Sequence, residues 1–118
     1  MSTLIACLST GKGTWGYVSQ VIRNEKWDKI ILVSNDFGKE NYKPEKNVEY
    51  LILNPMQEMK GMRDMIYDNL KEKINDVEVA LNIASGSGNE HMALISAILK
   101  MGLGIRFITA TSSSIEEI

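Results

Sequence analysis

Short runs of aliphatic and β-branched residues alternate along this chain with longer stretches in which apolar positions recur every three or four residues. The strand-like runs cover 4–8, 29–33, 48–53, 77–83 and 105–109, and small or polar residues close them. Helical spacing joins Tyr17, Val18, Val21 and Ile22 over about 14–24. It also joins Met59, Met62, Ile66, Leu70 and Ile74 in a helix that starts at Asn54-Pro55 and reaches about 75. A further helix covers 89–101 and stops at Gly102 or Gly104. Strands and helices in this order predict an α/β, Rossmann-like three-layer domain around a mainly parallel five- or six-stranded sheet. The polar stretch 37–46, with Gly38 and Pro44, reads as an exposed loop. No helix then separates the second strand from the third, which is either an edge or a longer excursion. The right-handed crossover rule puts the first and fourth strands side by side where the winding reverses, and ligands bind outside the carboxyl ends of such strands.

A chain of 118 residues holds one such domain, here 1–111, with 112–118 as a tail or the start of a linker. A separate catalytic domain has no room. The formal charge of -2 argues against a binder of long DNA or RNA and leaves a short nucleotide ligand open. Cys7 is the single cysteine and makes no internal disulfide, and His91, the single histidine, is too little for a zinc site of the Cys/His kind. The expectation is a cytoplasmic protein with neither metal nor cofactor. No run approaches the ~20 apolar residues of a membrane span, and 4–8 is too short for a signal-peptide core.

Two loops of small residues each follow a strand. Gly11-Lys12-Gly13-Thr14-Trp15-Gly16 spells G-x-G-x-x-G between a strand and a helix, with Asp36 twenty positions after Gly16. Taken alone, the pattern reads as an NAD(P) or nucleotide enzyme site, with pyrophosphate at the helix start and ribose on Asp36. Lys12 and Trp15 are bulky for such a turn, and the fingerprint leaves the second loop, Ser85-Gly86-Ser87-Gly88, without a role. A ligand-free alternative takes Gly11, Gly13 and Gly16 as a tight turn needing positive φ. The hydroxyls favour a ligand. Ser9, Thr10 and Thr14 on one loop, Ser85 and Ser87 on the other, Asn89 at the next helix start and the mobile cation of Lys12 together make an anion and ribose site.

The segment Leu81-Asn82-Ile83-Ala84-Ser85-Gly86-Ser87-Gly88-Asn89-Glu90-His91-Met92-Ala93-Leu94 resembles the second signature of CARF domains, the CRISPR-associated Rossmann-fold family. There, a strand ending in Asn and an aliphatic residue leads into a Gly/Ser/Thr loop and a helix opening with Met-Ala-Leu or similar. Ser9-Thr10-Gly11 looks like the family's first signature. The resemblance implies a homodimer whose paired loops bind a cyclic oligoadenylate, an antiviral-defence messenger, across a two-fold axis. It also implies that some members open the ring without metal. By position, Ser9 and Thr10 match the first-loop hydroxyls, and Ser85, Gly86, Ser87 and Gly88 match the second loop. The lysine common in that second loop is absent, with Asn89 and Glu90 nearby instead, and Lys12 is the cation that substitutes. For ring opening the candidates are Ser9, Lys12 and His91. Histidine is the residue type suited to general acid or base work near neutral pH, and His91 stands in the first turn of its helix, where a capping or packing role is the commoner one. Glu90 is expected to point outward, away from a bound phosphate.

The helix over 89–101 carries Met92, Ala93, Leu94, Ile95, Ala97, Ile98, Leu99 and Met101, so it is apolar nearly all round and needs cover on both sides. A second copy of the chain supplies that cover in one reading, and the C-terminal segment folding over it in another. Met56, Met59, Met62 and Met65 read as adaptable packing on the preceding helix. Trp15 and Trp27 read as anchors of the first helix, with stacking on a base as the alternative for Trp15. Three function classes follow: a dimeric nucleotide sensor, a nucleotide-using Rossmann enzyme, and an interaction module with no small ligand.

Overall fold

The computed structural model describes residues 2–9 and 11–118. Its elements run β1 (Thr3–Leu8), a 3-10 turn (Lys12–Thr14), α1 (Trp15–Arg23), β2 (Lys29–Ser34), α2 (Asp36–Asn41), β3 (Glu49–Ile52), α3 (Met59–Leu70), β4 (Glu78–Asn82), α4 (Gly88–Lys100), β5 (Gly104–Ala110) and β6 (Ile115–Glu117). They form one six-stranded sheet of order β3-β2-β1-β4-β5-β6, parallel except for β6. The expected α/β, Rossmann-like architecture is therefore the one observed. β1 and β4 are neighbours, with Leu4 opposite Ala80 and Ala6 opposite Asn82, and β3 is an edge strand.

Alternation along the strands explains the layers. Ile5, Cys7, Ile31, Val33, Leu51, Val79 and Leu81 face the layer of α3 and α4, where Met62, Ile66, Leu70, Leu94 and Ile98 meet them. Leu4, Ala6, Leu8, Ile30, Leu32 and Ala80 face the other way, toward Val18, Val21 and Ile22 of α1 and toward Tyr42. β1 is buried on both faces along its whole length, which is why it reads as an unbroken apolar run.

Three expectations change. The stretch 37–46 is not all loop, because α2 occupies its first part. Asn35 caps that helix by accepting from the Gly38 N–H at 2.8 Å, and Asp36 complements its N-terminal dipole. α3 starts at Met59 and not at Asn54-Pro55, since the Asn54 side chain accepts from the Met56 N–H at 2.9 Å and folds the chain into a separate turn. Met56 consequently lies outside the methionine stripe, 88% exposed. The segment 112–118 contains β6, which pairs antiparallel with β5 after a turn closed by Thr111 and Ser114. Ile115 packs on the α1 side of the sheet, so the C-terminal segment does not cover α4.

Candidate functional site

The carboxyl ends of β1 and β4 are tied together by side chains. The Ser9 N–H donates to Ser85 Oγ at 2.9 Å, Trp15 Nε1–H donates to the Ser9 carbonyl at 2.6 Å, and Ser34 Oγ donates to the Leu8 carbonyl at 2.5 Å. Three elements thus fix the root of the first loop. The second loop leaves β4 through Asn82, nearly buried, whose Nδ2 donates to the Ile108 carbonyl at 2.8 Å while its Oδ1 accepts from the Ala84 N–H at 3.2 Å. Gly86 follows with φ +104, a conformation that favours glycine.

At the start of α4, Ser87 and Glu90 form a reciprocal cap. The Ser87 N–H donates to Glu90 Oε1 at 2.7 Å, and the Glu90 N–H donates to Ser87 Oγ at 3.2 Å. Glu90 is only 9% exposed, so it points inward, contrary to the expectation from phosphate repulsion. The S-x-x-E pattern in the sequence, Ser87-Gly88-Asn89-Glu90, was the legible signal for that cap. With the cap satisfied internally, the exposed Gly88 and Asn89 amides have no partner among the described residues. They are donors at the positive end of a 13-residue helix.

The predicted residues divide into groups. Ser9, Gly11, Gly13, Thr14, Ser85 and Gly86 line one cleft of about 250 Å³ together with Ala84. Ser9, Ser87 and Asn89 line an adjoining hollow of about 160 Å³ with Asn35, Pro55, Met62 and Glu90. Asp36 lies in a third cleft, of about 460 Å³, that shares Asn35 and Pro55 with the second. Lys12 Nζ lies 5.9 Å from the ring centroid of Trp15 and 5.4 Å from that of Phe37, a cation–π position beside the loop. His91 Nε2 is 2.7 Å from the Ser85 carbonyl, and because a carbonyl only accepts, that nitrogen carries the proton and holds the loop in shape. Thr10 lies outside the described residues.

No significant match to this chain was found among protein-family models, characterised proteins or solved structures.

The cleft between the loops is lined by neutral groups alone, offering hydroxyls and amides. Among the described residues, no group of three or more His, Cys, Asp or Glu side chains gathers as a metal site, and no helix is long and apolar enough to cross a membrane. Directly behind the loop, burial and then the nearby Glu90 carboxylate push the Cys7 thiol far above its ordinary range.

The turn reading of the first loop is corrected as well. Among the described residues only Gly86 and Gly102 have positive φ, so Gly11, Gly13 and Gly16 are not required by backbone conformation. A Cβ at Gly11, Gly13, Gly16 or Gly88 would meet nothing within 4 Å. Gly16→Ala, in an exposed helical turn, is accordingly expected to stabilise the chain by about 0.5–1 kcal/mol, read as a higher denaturation midpoint at unchanged slope. An unchanged or lower midpoint would show that something in the folded chain needs this glycine.

Proposed function

We propose that this chain is a dimeric nucleotide-ligand-binding domain of the CARF type, and that its ligand is a cyclic oligoadenylate. The observation that carries the reading is the pair of small-residue loops at the winding reversal, bonded to each other through Ser9 and Ser85 and opening into a cleft of neutral hydroxyls and amides, with an adjoining hollow that Ser87, Asn89 and the capping Glu90 line. Phosphates suit such a surface because backbone amides and a helix N-terminus stabilise negative charge without a basic patch. Lys12, parked on Trp15 and Phe37, supplies the adjacent cation.

The dimer part of the reading draws on α4. Ala93, Leu94, Ala97 and Ile98 are buried in the core, whereas Met92 and Leu99 are 62% and 60% exposed. With Ile95, Ser96 and Lys100 they line a shallow groove of about 530 Å³ on the outer side of the helix. A stripe at i, i+3 and i+7 is self-complementary when two copies cross antiparallel about a two-fold axis, and it would bring two sets of loops together.

Calorimetric titration with cyclic tetra- and hexa-adenylate tests the ligand, and chromatography of the recovered ligand reads ring opening in the same sample. Saturable heat at micromolar ligand is expected, and its absence at high micromolar concentration would leave the interaction-module reading in its place. Light scattering tests the dimer. The wild-type chain is expected at twice the monomer mass and Leu99→Glu at the monomer mass, with the fold retained. A monomeric wild type would remove the dimer.

A further inference from the structure

A larger cleft than either of those at the loops lies beyond them, over the ends of β2 and β3, where Asn35, Asp36, Phe37, Ile52, Leu53, Asn54 and Pro55 line about 460 Å³. That volume is in the range of small-molecule sites, ~300–1,000 Å³. Its walls are chemically unequal. Phe37 is an aromatic side chain with 37% of its surface open. Its ring is held against Trp15 at 6.0 Å between centroids and carries the Lys12 ammonium at 5.4 Å, so the face is positioned before any ligand arrives. Pro55 and the partly exposed Ile52 add apolar surface.

Polar atoms are also left over. Asn54 uses only its Oδ1, for the Met56 N–H, and Asn35 uses only its Oδ1, for the Gly38 N–H. Their amide nitrogens, and the Asp36 carboxylate, have no partner among the described residues. A flat apolar wall beside a carboxylate acceptor and amide donors suits a heteroaromatic ring that carries an amino group next to a ring nitrogen acceptor.

We infer that this cleft is a nucleobase subsite for a base bearing an exocyclic amine. The ring stacks on Phe37, the amine donates to Asp36, and the Asn54 amide donates to a ring nitrogen. The assignment rests on the nucleotide-binding reading above and extends it in one direction. The hollow shared by Asn35, Pro55, Ser87 and Asn89 joins this cleft to the loops, so a nucleotide lying along the sheet edge puts its base over β2 and β3 and its phosphate at the start of α4. Phe37, Asn54 and Pro55 thereby enter the site, and Asp36 faces the base.

Amide-resolved NMR on the full chain tests this, with adenosine monophosphate, adenosine, uridine monophosphate and inorganic phosphate as probes at millimolar concentration. Adenosine monophosphate is expected to shift two sets of amides, Phe37, Leu53 and Asn54 in the cleft and Gly86, Gly88 and Asn89 at the loops. Adenosine should move the first set and phosphate the second. Phe37→Ala should weaken adenosine monophosphate by about tenfold or more, the equivalent of losing one stacked base. Asp36→Asn should weaken it while leaving the Trp15 packing untouched, which covers a Phe37 variant that disturbs the fold. Uridine monophosphate, which has no exocyclic amine, should bind more weakly than adenosine monophosphate, and equal binding would overturn the assignment. If adenosine monophosphate moves the loop amides and not the cleft amides, the inference fails and the nucleotide reading stands. If neither set moves, both fail.

Discussion

Gly86→Ala is expected to destabilise the protein by about 3 kcal/mol and to lower the melting temperature by about 10–15 °C. Two costs combine. At φ +104 an L-residue is strained whatever the space around it. The space is also taken, because the added Cβ would stand 2.9 Å from His91 Nε2, 3.1 Å from Cys7 Cβ and 3.3 Å from Glu90 Oε1. Relief by moving His91 breaks its bond to the Ser85 carbonyl, and relief by moving Glu90 opens the cap of α4. Every escape therefore deforms the site. Denaturant unfolding checks this, and a change below about 1 kcal/mol would mean that the loop has another low-energy path between β4 and α4.

Alkaline pH is expected to unfold this protein more steeply than its charge alone suggests, through Cys7. The thiol is 1% exposed, and burial, reinforced by the Glu90 carboxylate, raises its pKa far above the ordinary value of 9.0. The sign follows from which state holds the proton. Below about pH 9 both folded and unfolded chains keep it, and the stabilisation is fully present. Above that, the unfolded chain releases the proton while the folded chain retains it, so stability falls by about 1.4 kcal/mol per pH unit. Between pH 9 and 11 the loss from Cys7 alone is about 2–3 kcal/mol. Tyr42 and Tyr50, raised from 10.0 chiefly by burial, act in the same direction at higher pH. Cys7→Ala should flatten the dependence between pH 9 and 10, measured by urea unfolding at each pH. A variant that loses stability as fast as the wild type would show that the thiol ionises in the folded chain.

Much of this fold was legible because its central strands are buried on both faces. Leu4 to Leu8 and Ile30 to Val33 have no polar member to blur the run, and the reversal between β1 and β4 follows from crossover handedness. The helices that were misread are those set by single side-chain bonds. Asn35 starts α2 and Asn54 delays α3, each through one amide oxygen, and periodicity carries no trace of either choice. β6 was missed because Ile115–Glu117 is too short for alternation to register. At the site, small residues and hydroxyls announced both loops, whereas the inward turn of Glu90 and the service of His91 to the Ser85 carbonyl depend on how α4 meets the sheet. Phe37, Asn54 and Pro55 come together only once β2 and β3 lie side by side.

The bond between Ser9 and Ser85 joins residues 76 positions apart, and Asn82 reaches Ile108 across another 26. A crevice fastened by such distant pairs cannot exist in a partly synthesised chain. β1, β2 and β3 can associate early through nearer pairings, but the site closes only after β4, α4 and β5 have emerged. Assembly of this crevice is then a late event in folding, and any ligand that engages both loops would trap the completed fold over any shorter intermediate.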